Sequence, residues 1–581
     1  MRNSLDTLPD EILHLILQYI DPYGCLALEK TARRFLNITK EPSLWRHYCR
    51  TLFLYWDKKY DIQTKMHQPP SSVDWKGLYA QRHKVDMATT QALNDLLSSQ
   101  SGRIQKVRQI MDFGYDVKDT LLRQAQAQPH QDDHLARRYY SKMMMNCLRR
   151  NMAISEWVRL KGDEAVSLER ALGCFDLFIP QSQIGSLDEI GAILDTIAEN
   201  LSNENPRIGD LTPRERASYI ASYLHINNLT GIRAGREYHS IEHNFLGIAL
   251  TDPNHNSLPL ISAAIFCYIA QHFHLNARPC GFPFHVHVII HPVPGFDMEG
   301  RTLNGDEIGA PIYMDPFRSG EETRVDDLQN QLNYLGASPL EQSTFLGQSL
   351  SSEIVLRCGR NILNSLRVMP EPPDHESLKL DFISAGYASL WSIILVTPRS
   401  RLAEIRRHIP WFMDLLDRDY HWDIFLVEQH ILPLFEELPE YENFRESLHI
   451  MQAVDEMPRR VRKREAENKN IRYRVGEVFC HRRYKYRAII IGWDAECGAG
   501  EQWMRQMNID QLQAGRHQSF YHAHVEDRSV RYVAEENIEI IRPTLSELPT
   551  SLMAVAGKHF KRWNEQERRF VSNIKDEYPD D

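Results

Sequence analysis

The chain has 581 residues, too long for one hydrophobic core; at ~150 residues per domain, about four domains are expected. Apolar residues make up 42% and charged residues 25%, ordinary globular usage that excludes wholesale disorder. Asp and Glu outnumber Lys and Arg by 78 to 68, a formal net charge of −10, which argues against a whole-surface polyanion binder but leaves room for a local basic patch.

Nine cysteines, an odd number with no CxxC pair, argue against a disulfide scaffold or a zinc ribbon. The start, MRNSLDTLPDEIL, has no apolar run behind a basic segment, so no secretory leader is expected. The longest apolar helix candidate, 258–273, is interrupted by Gln271 and His272 and is too short to span a bilayer. The expectation is a soluble protein of a reducing compartment, cytoplasmic or nuclear, with no membrane partner.

Residues 5–50 predict three short amphipathic helices. Thr7 is placed to cap the first, with Pro9 in its first turn, and Ile12, Leu13, Ile16, Leu17 and Ile20 recur at helical spacing. Leu26, Leu28 and Phe35 mark the second run, and Leu44, Trp45 and Tyr48 the third. So small a unit leaves apolar surface that a partner helix would cover. Residues 51–161 read as a helical spacer with loops at 68–72 and 129–133.

Helices are predicted over 168–178, 187–201 and 258–273. Residues 284–291 then alternate as a strand, with Val286, Val288 and Ile290 on one face and His285, His287, Ile289 and His291 on the other. A further strand, 311–314, ends at Asp315-Pro316-Phe317. Residues 339–455 are helical again, most clearly at 402–416 and 422–438. The charged stretch RRVRKREAENK, 459–469, reads as a linker helix, and RRVRKR within it also has the composition of a nuclear import signal. Short apolar runs between 473 and 541 have the rhythm of a small barrel. A helix over 552–570 and an acidic tail close the chain.

The pattern LPDEILHLILQYIDPYGCLALEKTARRFLNITKEPSLWRHYC resembles an F-box. That resemblance implies docking on a Skp-type adaptor and, through it, a cullin. Leu8, Pro9, Ile12, Leu13, Ile16 and Trp45 are the expected adaptor-binding residues.

Six ordered fragments resemble the YccV/HspQ-like, or hemimethylated-DNA-binding, family. They are Tyr473-Arg474-Val475-Gly476, His481-Arg482-Arg483-Tyr484, Ile491-Gly492-Trp493-Asp494, Gln518-Ser519-Phe520-Tyr521-His522, Val525-Glu526-Asp527 and Tyr532-Val533-Ala534-Glu535-Glu536-Asn537. Lys485 departs from the glycine usual there. The basic group Arg482, Arg483, Lys485 and Arg487, beside Tyr484 and Tyr486, suits phosphates and stacking, whereas Glu526, Asp527, Glu535 and Glu536 would repel a nucleic-acid backbone. DNA therefore stands as the less favoured ligand, and a protein segment as the favoured one. Trp493, Asp494, Phe520, Tyr521, His522, Tyr532, Glu536 and Asn537 are the candidate binding residues.

The middle segment resembles the transglutaminase-like core of SirB-type proteins, most clearly at Gly281-Phe282-Pro283-Phe284-His285 and Met314-Asp315-Pro316-Phe317. Phe284 stands where the family has a glycine. Cysteine catalysis needs a thiolate at a helix N-terminus, a histidine on a neighbouring strand and an acid that orients it. His285 and Asp315 fit the last two roles. The helix, however, opens with Ser257-Leu258-Pro259-Leu260 and no cysteine. Cys267 lies two turns in among apolar residues, Cys280 is misplaced, and Ser257 reads as a helix-capping residue. His285 and Asp315 are thus expected to be vestigial, with no catalytic residues and no cofactor. The histidines His285, His287, His291, His272 and His274 raise a metal, but without a Cys or Glu partner at suitable spacing none is expected. A polar edge-strand face explains the same residues.

The fold class is multidomain, α plus β. The expected order is an F-box (1–50), a helical spacer (51–161), a transglutaminase-like core (162–330), a helical follow-on (331–456), a basic linker (457–471), a YccV-like barrel (472–545) and a C-terminal helix with acidic tail (546–581). This order resembles that of F-box proteins carrying all three modules. The expected function is the substrate-recognition subunit of a Skp–cullin–F-box ubiquitin ligase, with an unknown protein substrate and no chemistry of its own. An acyl-transfer enzyme and a DNA-binding regulator are the alternatives.

Overall fold

Helix Pro259–His272 is apolar around nearly its whole circumference, so it has to be covered on every side, and the middle of the chain is built around it. In the computed structural model, residues 5–162, 164–235, 237–304, 309–368, 381–464, 471–527 and 529–581 are described. They divide into two units, Arg149–Arg445 and the pair of segments Met1–Leu148 and Glu446–Asp581.

In the unit Arg149–Arg445, a four-stranded antiparallel sheet of order β1-β2-β3-β4 follows the apolar helix. Its strands are β1 (Asn276–Pro279), β2 (Val288–His291), β3 (Ile312–Met314) and β4 (Glu322–Thr323). The predicted strand over 284–291 is shorter than expected and is interior rather than an edge, because β2 pairs with both β1 and β3. Val288, Ile289 and Ile290 are all buried, so the polar edge-strand reading is corrected. The strand 276–279 was not expected. Residues 284–287 form a loop in which Phe284 takes φ of 64° and is 86% exposed. Glycine meets that left-handed demand without a Cβ penalty, so the departure from the family motif falls on a strained position.

The same unit continues in helices Ser351–Val368, Phe382–Val396 and Leu402–Arg418. The middle one is buried from Ser384 to Val396. The helix predicted over 422–438 is instead broken into Ile424–His430 and short 3-10 turns on either side, Pro433 lying in the second.

In the other unit, the N-terminal module has four helices rather than three: Asp10–Tyr19, Pro22–Glu29, Arg33–Thr39 and Pro42–Leu52. Pro9, not Thr7, occupies the cap of the first, and Thr7 belongs to a preceding 3-10 turn. The core of this module reaches beyond residue 50 to Trp75 and Tyr79 of helix Trp75–Ser98.

The C-terminal region forms a five-stranded sheet of order β8-β7-β6-β5-β9. Its strands are β5 (Val478–His481), β6 (Arg487–Asp494), β7 (Phe520–Val525), β8 (Val530–Ala534) and β9 (Ile538–Ile541). The sheet is curved by a bulge between Ile490 and Gly492 but not closed, since β8 and β9 form its two edges. The helix predicted over 552–570 ends at Ala556, and a hairpin of β10 (Phe560–Asn564) and β11 (Arg569–Ser572) follows.

Phe560, Trp563, Phe570, Ile574 and Tyr578 join the sheet's own core, together with Leu135 from the spacer. Gly476 shows how closely: at φ of 93°, a Cβ there would meet the Phe570 carbonyl at 2.1 Å. The basic linker is corrected likewise. Residues 458–464 are not helical, and Arg464 donates to the carbonyls of Ile471 and Tyr473 and to Asp581. Residues 465–470 of the charged stretch lie outside the described residues.

Candidate functional site

Antiparallel register builds the core site. Val288 pairs with Met314, so one further step along each chain sets His287 opposite Asp315, and the loop 284–287 brings His285 to the same carboxylate. His285 Nε2 lies 2.9 Å from Asp315 Oδ2, and the two imidazole centroids are 4.9 Å apart. Phe317 packs edge-on against His285, and its backbone N–H donates to Asp315 Oδ1. Burial pushes Asp315 up, but His285, His287 and Arg318 together hold its carboxyl below the usual range. Burial lowers His287 to about 4, so its ring is neutral at physiological pH.

The residues weighed as nucleophiles are engaged elsewhere. Ser257 is buried, with its hydroxyl 2.7 Å from that of Ser262. The Gly231 N–H donates to Ser262 Oγ, and its carbonyl accepts from the Ser257 N–H. Gly231 in turn abuts the Phe317 carbonyl. Cys267 is 1% exposed, and burial drives its thiol far up. Cys280 donates to the Phe345 carbonyl within a separate apolar cluster, and burial pushes it up to about 11.

Of the five histidines weighed together, the structure brings together two. His291 pairs with Asn276 at the far end of the β1–β2 ladder, and His272 and His274 are exposed beyond it. His285 and His287 instead converge with Asp315. The sequence reading paired this acid with His285 but missed it as a partner of His287, although the register of the two strands carries the signal. Arg357 was also missed: from helix Ser351–Val368 it donates to the Phe282 carbonyl at 2.6 Å, steadying the loop that carries His285.

On the N-terminal module the expected adaptor face splits in two. Leu13 and Trp45 are buried in the module's own core, the indole N–H donating to the Thr39 carbonyl. Ile12 and Leu15 are 43% and 52% exposed, Tyr19 is 92% exposed, Pro9 is exposed, and Leu8 and Ile16 are partly so. Ile12, Leu15, Ile16 and Tyr19 make an outer stripe at helical spacing.

In the C-terminal sheet, Trp493, Phe520 and Tyr521 are core residues. Asp494 is the hub of a polar cluster. It accepts from Tyr532 at 2.7 Å, lies 3.2 Å from His522 Nε2 and pairs with Arg462. Burial pushes its carboxyl up, but those three partners outweigh burial and hold it at about 2. Glu536 accepts from the Gln513 and Ala514 N–H groups and from Gln518, pinning the long loop, while Glu535 accepts from Tyr521.

A groove of about 850 Å³ opens beside this cluster, with Tyr484, Tyr486, Trp503, Tyr532, Arg531 and Asn537 among its walls. Of the basic group, Arg487 pairs with Glu526 and Arg482 donates to the Ile538 carbonyl. Lys485, in the family's glycine position, takes φ of 57°.

The F-box-like family matches residues 5–51, the transglutaminase-like superfamily residues 188–360, and the family described as hemimethylated DNA-binding protein YccV like residues 471–567. The chain is thus a multidomain protein with F-box-like, transglutaminase-like and YccV-like modules in that order. It is similar to F-box only protein 21 of Mus musculus, at 23% identity over 86% of this chain and 78% of the relative. The proteins of that name from Pongo abelii and Homo sapiens match at 23% and 22%, with the same coverage. No solved structure matches significantly. Among the described residues, no helix is long and apolar enough to cross a membrane.

Proposed function

We propose that this chain is the substrate-recognition subunit of a Skp–cullin–F-box ubiquitin ligase. The observation that carries the reading is the outer stripe Ile12, Leu15, Ile16 and Tyr19, left uncovered on a module that matches an F-box. Such a stripe suits a groove between helices of an adaptor. Leu13 and Trp45 act behind it by fixing the helix, and Leu8 and Pro9 extend the face at its N-terminal end.

The transglutaminase-like core serves as a recognition scaffold without acyl transfer. Supporting this, Ser257, Cys267 and Cys280 are all committed away from His285. The groove beside Tyr532 is the second recognition surface, and its aromatic walls favour a protein segment over duplex DNA. The adaptor face is tested with full-length Ile12→Lys. Loss of adaptor with retained helicity supports the reading; unchanged co-purification of adaptor and cullin refutes it.

A further inference from the structure

His285, His287 and Asp315 bring two imidazoles and one carboxylate together in the core, with one ligand atom from each within 4.8 Å of the others. A zinc ion bonded at about 2.0–2.1 Å holds its ligand atoms roughly 3.4 Å apart, so modest side-chain adjustment closes this set on one ion. His287 is 4% exposed, and its Nδ1 is buried with no hydrogen-bond partner. His285 Nε2 stands 2.9 Å from Asp315 Oδ2, so this imidazole and the carboxylate already face one another.

Buried polar atoms of native proteins rarely go unsatisfied, and a cation shared with His285 and Asp315 would give the His287 ring a partner. Two imidazoles and one carboxylate form a donor set that suits zinc-class ions. The Phe317 N–H holds Asp315 by Oδ1, leaving Oδ2 toward the histidines. Arg318, 3.7 Å from that oxygen, is largely exposed and free to swing into solvent.

We propose that His285, His287 and Asp315 form a three-ligand site for a divalent zinc-class cation, with a fourth coordination position left for an outside ligand. The site is independent of adaptor docking and stands whether or not the chain is a ligase subunit.

The test uses full-length protein stripped with a chelator and titrated with Zn²⁺ against a chromophoric competitor. With 25 histidines and nine cysteines elsewhere or in the site, the informative readout is the equivalent lost on substitution. One equivalent should bind. Its affinity should fall at least tenfold in His287→Ala and in the near-isosteric Asp315→Asn, and stay unchanged in the exposed His272→Ala.

Co²⁺ should give visible d–d bands that Zn²⁺ displaces. X-ray absorption of the unsubstituted protein should show two imidazoles and oxygen, which decides the matter even if a variant misfolds. No bound equivalent, an equivalent that survives both substitutions, or a thiolate in the metal's shell would overturn the proposal.

Discussion

His285 Nε2 stands 2.9 Å from Asp315 Oδ2, the histidine in the loop that leads into β2 and the acid just past the end of β3. Helix Pro259–His272 opens with a proline, and the Ser257 hydroxyl before it lies 2.7 Å from that of Ser262.

Cysteine reactivity follows from this geometry. Iodoacetamide at neutral pH should label the partly exposed Cys480 and Cys497 first and leave Cys267 and Cys280 unmodified in the folded protein. Peptide mapping by mass spectrometry reads the order. Rapid, stoichiometric labelling of Cys267 or Cys280 that disappears in His285→Ala would reveal a working catalytic pair.

Asp494 should govern acid stability of the C-terminal sheet. Its folded carboxyl titrates near 2, below the unfolded value near 3.8, so its stabilisation is full above pH 4 and lost as pH falls toward 2. The contribution is about 2 kcal/mol at most, since its side chain is only 22% exposed. Urea titrations of Asp494→Asn at pH 7 and pH 2.5 should show a loss at the first and roughly a third of it at the second. An equal loss at both would assign the effect to packing.

The C-terminal hairpin should be structural for the sheet rather than an appendage. Phe570→Ala removes a fully buried ring and should cost about 3–5 kcal/mol. Gly476→Ala places a Cβ against the Phe570 carbonyl and should cost more than about 1 kcal/mol. Chemical denaturation monitored by far-UV circular dichroism measures both; a loss below 0.5 kcal/mol (roughly the scatter of surface substitutions) in Phe570→Ala would contradict this packing.

Much of this was legible in the sequence, and the failures have physical causes. The stripe Ile12, Ile16 and the strands flanking Asp315 show because each exposes one periodicity. Trp45 and Leu13 were placed on the docking face because periodicity marks an apolar side without saying whether neighbouring elements already cover it, as Tyr79 does for Trp45. The hairpin over 560–572 was read as helix because Glu565, Gln566, Glu567 and Arg568 are good helix formers; the chain turns there, with Arg568 at φ of 50°. The Arg464–Asp581 pair joins two segments that sequence alone reads as a linker and a free tail. His287 as a partner of Asp315 needs the strand register, which no local pattern supplies.

Adaptor affinity of the intact chain is the most direct test of receptor function. Isothermal titration of a purified Skp-type adaptor into full-length protein should give a one-to-one complex. Burying an apolar side chain is worth ~1.5–3 kcal/mol, so Ile12→Ala with Leu15→Ala, both exposed and free of the module's core, should weaken it at least tenfold with the fold intact. Failure of the intact chain to bind the adaptor, or equal affinity in the double variant, would contradict a receptor that docks through this stripe.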